Sequence, residues 1–247
     1  MMFLAEANSW SVVKKLYVYK LRALIGMFST LVFVQLLAFA FSVGGSGRSI
    51  TYSGNSSVTV QLYSGLTIFV FTLMWAFFIG ISVTAKHHRD AEFSFVTNRL
   101  TSNVSNIAFL LTACLIGGIT APLLGYVLRF AVYWTTDKEF VLNSAAQSPL
   151  EPLIGMIVTF LYAGLLASIG YTAGMLVQRN RLFIVLLPGL SIGLLILGAR
   201  QGVLLPAIVD FYFNEPSLAV LGVKIIITQF ILYMLSILIS NRLEVRQ

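Results

Sequence analysis

The chain has 247 residues, of which 58% are hydrophobic and only 10% charged, with a net charge of +7. A soluble domain carries roughly 25% charged residues, so this composition excludes a water-facing surface over most of the chain. The basic residues stand in short clusters beside apolar runs, which points to anchors at a lipid surface and away from nucleic acid.

At the N-terminus, Trp10, Val13, Tyr17 and Leu21 recur at helical spacing, with Lys14 and Lys15 beside them. A basic amphipathic helix of this kind lies in the headgroup plane, so 1–22 is expected to be an interfacial helix. The apolar run that follows, 23–43, contains no charge and is longer than the roughly 7–15 residues of a signal-peptide core, so it is expected to be a retained anchor.

A membrane-crossing helix needs roughly 20 mainly apolar residues. Six segments meet or approach this: 23–43, 66–85, 107–128, 153–177, 182–198 and 223–240. The fold class expected is therefore an all-α membrane protein. Its single domain over 1–247 divides into the interfacial helix and a six-helix membrane domain over 23–240.

Between the first two spans, Gly44, Gly45, Ser46 and Gly47 begin a Gly/Ser-rich stretch that reads as a mobile loop. Asn55-Ser56-Ser57 within it matches a glycosylation acceptor, a common pattern. The next loop contains both histidines, in Lys86-His87-His88-Arg89-Asp90-Ala91-Glu92. On a helix His88 and Glu92 would converge, as would His87 and Asp90. No H-E-x-x-H or Cys/His pattern accompanies them, so the spacing is a poor argument for a metal. The mixture of charge with Phe93, Phe95 and Val96 over 90–100 better fits a short amphipathic helix docking on a cytoplasmic partner.

Cys114 falls inside the third span; as the sole cysteine it forms no internal disulfide and reads as a small packed hydrophobe. Pro122 and Pro188 within spans predict kinks. Trp134 in the loop over 129–152 suits a membrane–water interface. Gly170 with Gly174, and Gly189 with Gly193, are spaced four apart and let helices approach closely, either within the chain or between two copies. The segment 201–222 is too apolar for a free loop, yet it is broken by Pro206, Asp210, Glu215 and Pro216. A re-entrant or interface-lying segment before the last helix is expected there.

Charge sets the orientation. With six spans, eleven Lys and Arg residues fall on the side of the two termini and four on the other, with Lys224 at the edge of the last span. The positive-inside rule then puts both termini in the cytoplasm of a cell-membrane protein. None of the nine carboxylates lies in an apolar centre, which argues against a proton pump, a proton-coupled carrier or an acidic-ring cation channel. The G-x-x-x-x-G-K-[ST] pattern of an ATP-binding loop is absent.

This order of elements resembles the ABC-2-type permeases, the membrane subunits of ATP-driven exporters. The shared features are a basic interfacial helix, six spans, a charged helix in the first cytoplasmic loop and a re-entrant segment before the last span. The resemblance covers nearly the whole chain and is architectural; the run EFSFVTNRLTSNVSNI, from Glu92 onward, also has the look of bacterial members. It implies a non-enzymatic subunit without cofactor, paired with a second permease copy or homologue around a central pathway. It implies coupling to a separate cytoplasmic ATP-binding cassette ATPase through 90–100, with Asp90, Glu92, Phe93, Phe95 and Arg99 as contacts. The uncharged pathway would suit a lipid, an amphipathic peptide or a hydrophobic drug. The competing expectations are an immunity or assembly protein acting without ATP, and an intramembrane enzyme built on His87, His88, Asp90 and Glu92.

Overall fold

A computed structural model describes residues 9–45, 47–53, 56–62, 64–85, 99–135, 150–201, 204–215 and 217–241. Eight helices occur among them: α1 (Ser9–Ala23), α2 (Ile25–Val43), α3 (Leu66–Val83), α4 (Arg99–Thr135), α5 (Glu151–Arg179), α6 (Phe183–Gln201), α7 (Leu204–Phe213) and α8 (Leu218–Asn241). Five of these, α2, α3, α4, α5 and α8, are long and apolar enough to cross a membrane. The 182–198 span is helical as part of α6, but its apolar run among the described residues, Phe183–Leu194, is shorter than a crossing.

The helices differ from the sequence expectation mainly at their ends. α4 begins at Arg99 and continues to Thr135, unbroken through Pro122. It absorbs the last residues of the expected docking helix and the first of the expected outer loop, because a polar start does not stop a helix that lacks a breaker. α5 begins at Glu151 with Pro152 in its first turn, where the missing proline N–H leaves no helical bond unmade. α8 starts at Leu218, five residues before the expected span.

The Gly/Ser-rich stretch is not simply a loop. Strands β1 (Gly47–Ser53) and β2 (Ser56–Leu62) pair antiparallel, from Gly47 opposite Leu62 to Ser53 opposite Ser56. Every other described element is helical. The strands are rich in β-branched residues, and the two residues that join them, Gly54-Asn55, are hairpin-turn types. Ahead of the hairpin, α2 ends at Gly44 and Gly45; Gly45 has φ 94°, a left-handed conformation that glycine adopts without strain.

The chain divides into two compact units. The first comprises Met1–Ala23, Phe77–Leu111 and Gly164–Gln247; the second comprises Leu24–Ala76 and Thr112–Ala163. Within the first, α3 and α5 approach closely through glycine. A Cβ on Gly80 would sit 2.8 Å from the Tyr171 nitrogen, and a Cβ on Gly170 would overlap the Phe77 carbonyl oxygen. A Cβ on Gly174 would likewise overlap the Thr84 hydroxyl. The Thr172 hydroxyl donates to the Leu232 carbonyl at 3.3 Å and accepts from Ser236 at 3.0 Å, joining α5 to α8. Such hydrogen bonds between apolar helices are worth about 0.6 kcal/mol on average.

Within the second unit, Ala38, Ile68, Ala121, Leu128 and Val132 form a buried cluster shared by α2, α3 and α4. Beside it the Gln35 amide donates to Thr120 Oγ1 at 2.9 Å and to Thr72 Oγ1 at 3.3 Å, so its burial does not leave its donors unmade. Outward-facing apolar residues are plentiful; on α8 alone Val223, Ile226, Ile227, Phe230, Ile231 and Leu238 are exposed. This surface fits lipid and does not fit water.

Candidate functional site

The sequence singles out the segment 90–100. Asp90, Glu92, Phe93 and Phe95 lie outside the described residues, as do His87 and His88. Arg99 and Leu100 are described, and they form the first turn of α4. Arg99 Nη1 donates to the carbonyl oxygen of Ser240 at 3.0 Å. Ser240 is in the last turn of α8, whose terminal carbonyls lack helical donors, and a cation there is favourable.

The following turns of α4 receive two further elements. Lys20 of α1 is 3% exposed, and its ammonium reaches α4. It donates to Ser105 Oγ at 2.8 Å, to the Ser102 carbonyl at 3.3 Å and to Asn106 Oδ1. An ammonium has three protons, and here three oxygens accept them. Without such partners the burial of this charge would be prohibitive. From α5, Tyr171 is fully buried. Its hydroxyl donates to Asn103 Oδ1 at 2.8 Å and accepts from Asn106 Nδ2 at 3.4 Å. The Tyr171 ring meets Tyr233 of α8 edge-on, with centroids 6.1 Å apart.

The first two turns of α4 are therefore a junction of α1, α5 and α8, reached directly from 90–98. Sequence reasoning missed Lys20 and its partners. It took Trp10, Val13, Tyr17 and Leu21 as the apolar stripe of α1. The buried residues of α1 are Leu16 and Lys20, while Trp10 is 71% exposed. The available signal was the polar run Thr101-Ser102-Asn103 with Ser105-Asn106, which opens an otherwise apolar helix.

The two glycine pairs have different surroundings. Gly170 faces Phe77 of α3 and Gly174 faces Thr84 just after it, whereas a Cβ on Gly189 or Gly193 would meet nothing within 4 Å. Near the start of α8, Lys224 pairs with Glu215, and its ammonium lies 4.4 Å from the Phe211 ring centroid. Tyr212 and Thr228 share a hydroxyl hydrogen bond of 3.0 Å. These contacts fasten α7 to α8. Among the described residues no group of three or more His, Cys, Asp or Glu side chains could hold a metal.

No family model matches this chain, and neither a curated protein nor a solved structure matches it.

Proposed function

We propose that this chain is the membrane subunit of an ATP-driven exporter of the ABC-2 type, coupled to a separate cytoplasmic ATP-binding cassette ATPase. The supporting observation is the junction at the start of α4. A force applied at 90–98 enters a helix whose first turns are held by Lys20, Tyr171 and the Arg99–Ser240 contact. A partner binding that segment would move α1, α5 and α8 together, which is the mechanical requirement for converting ATPase closure into a rearrangement of helices.

In this reading the chain crosses the membrane six times, with α6 as the fifth crossing and both termini in the cytoplasm. α1 lies in the inner interface, and the α7 segment is re-entrant. Two copies, or this chain and a homologue, pair around a central pathway, and Gly189 and Gly193 on the open side of α6 are available to that contact. The absence of carboxylates from the spans suits a hydrophobic or amphipathic substrate.

The test is co-purification of the chain with an ABC-type ATPase in nanodiscs, followed by ATPase assay. Glu92→Lys and Phe95→Ala should abolish stimulation by the membrane subunit while leaving it monodisperse. Unchanged stimulation in both variants would remove the coupling role from this segment.

A further inference from the structure

A cavity of about 200 Å³ lies in the second unit, between the start of α3, the later turns of α4 and the start of α5. It exists because side chains are missing. Gly65 and Gly125 face each other so closely that a Cβ on Gly65 would lie 3.4 Å from the Gly125 Cα, and a Cβ on Gly155 would lie 3.9 Å from the Pro122 Cβ, in ordinary van der Waals contact. Phe69, Ala121 and Pro122 make its walls apolar, and Arg129 provides its charge. Tyr126 and Thr159 are the hydroxyl-bearing residues of the lining, and the Thr159 hydroxyl donates to the Gly155 carbonyl of its own helix at 2.7 Å.

Arg129 is the first charged residue after the uncharged run 100–128 of α4. That run rises about 1.5 Å per residue, enough to cross hydrocarbon about 30 Å thick, which brings Arg129 to the far interface. Tyr126, Phe130 and Trp134 recur at helical spacing around it and are 39%, 66% and 78% exposed, the arrangement of an interfacial aromatic belt. The guanidinium lies 5.5 Å from the Tyr126 ring centroid and has no carboxylate partner among the described residues. The first turn of α3, which supplies Phe69, has no acidic residue to offset the positive end of its helix dipole. Glu151, one turn before Gly155, is exposed and does not line the cavity.

The volume is below the roughly 300 Å³ at which a site begins to enclose a whole drug-sized ligand. It suits part of a longer molecule whose remainder stays in lipid. We propose that this cavity binds one anionic phospholipid. Its headgroup phosphate lies on Arg129, where the planar guanidinium matches two phosphate oxygens, and the first methylenes of one acyl chain fill the glycine-lined space.

Native mass spectrometry of the full chain, released from nanodiscs of equal phosphatidylglycerol and phosphatidylcholine, tests this directly. One phosphatidylglycerol should outlast all other adducts at rising collision energy, retained about tenfold over phosphatidylcholine. Arg129→Gln should bring the two lipids to parity, while Arg129→Lys keeps part of the preference. Gly155→Leu fills the cavity with the charge intact and should remove the retained lipid. Excess inorganic phosphate should leave the adduct in place. Equal retention of both lipids by the wild type, an unchanged preference in Arg129→Gln, an unchanged adduct in Gly155→Leu, or displacement by phosphate alone would each overturn the proposal. The wild-type and phosphate measurements need no variant, so misfolding of a substituted chain does not leave the question open.

Discussion

Lys20 illustrates how a charge becomes structural in an apolar protein. Its three protons meet Ser102, Ser105 and Asn106, so the ammonium joins α1 to α4 without a carboxylate among these contacts. Replacing it by Met keeps the length of the side chain and leaves buried oxygens without their donor. The expected loss is about 1–3 kcal/mol, read as a lower midpoint in thermal unfolding of the detergent-solubilised chain. An unchanged midpoint would mean that apolar packing such as that of Leu16 holds α1 without the ammonium. Position in the chain is no guide here, because sequence patterning sorts lysine to the wet face of an amphipathic helix. Only the polar run at the start of α4, 85 residues away from Lys20 at Ser105, makes a buried lysine favourable.

The elements themselves are held by backbone approach and by their ends. Gly170 is spaced with Gly174 in the sequence, but its counterpart Gly80 stands alone on α3 and has no pattern to mark it. Gly170→Ala would press a methyl on the Phe77 carbonyl, costing about 1–3 kcal/mol by overpacking. Gly189→Ala should change stability of the isolated chain by less than about 0.5 kcal/mol, since open space surrounds it. Equal effects in a denaturation series would contradict this asymmetry. The end of α8 is tied by Arg99 to the start of α4. Arg99→Ala should free the last turn of α8, seen as faster amide exchange near Ser240 with the middle of the helix unaltered. The hairpin of β1 and β2 was legible in Gly54-Asn55 and its flanking β-branched residues, but the preceding glycines and serines mask it as a simple loop.

For the whole molecule, the number of crossings sets the side on which the tail emerges. Five helices are long and apolar enough to cross, and α6 has a shorter apolar run among the described residues. Six crossings leave both termini on one side, whereas five separate them. The sole cysteine, Cys114, is buried, so single cysteines can be added to the natural chain with little background. Cysteines at Asn8 and Arg246 should react with an impermeant maleimide only after the cells are permeabilised, and one at Asn55 should react in intact cells. Labelling of Arg246→Cys in intact cells, with Asn8→Cys protected, would make α6 a helix that does not cross.

From the sequence alone follow the cores of five helices long enough to cross a membrane, and the lack of a carboxylate in those apolar runs, although α4 extends well past its expected span at both ends. Those properties are local: each follows from a run of side chains and the length of helix needed to bridge hydrocarbon. Which polar groups are buried, which glycines have a neighbour, and the gathering of α1, α5 and α8 at the first turns of α4 emerge only from the packing of the helices. Such facts depend on residues far apart in the chain, and an apolar surface gives little pattern to choose among packing partners. In lipid, the inward and outward faces of a helix are both hydrophobic. The contrast that marks a core in water is therefore missing, and small residues and hydrogen bonds select the contacts in its place.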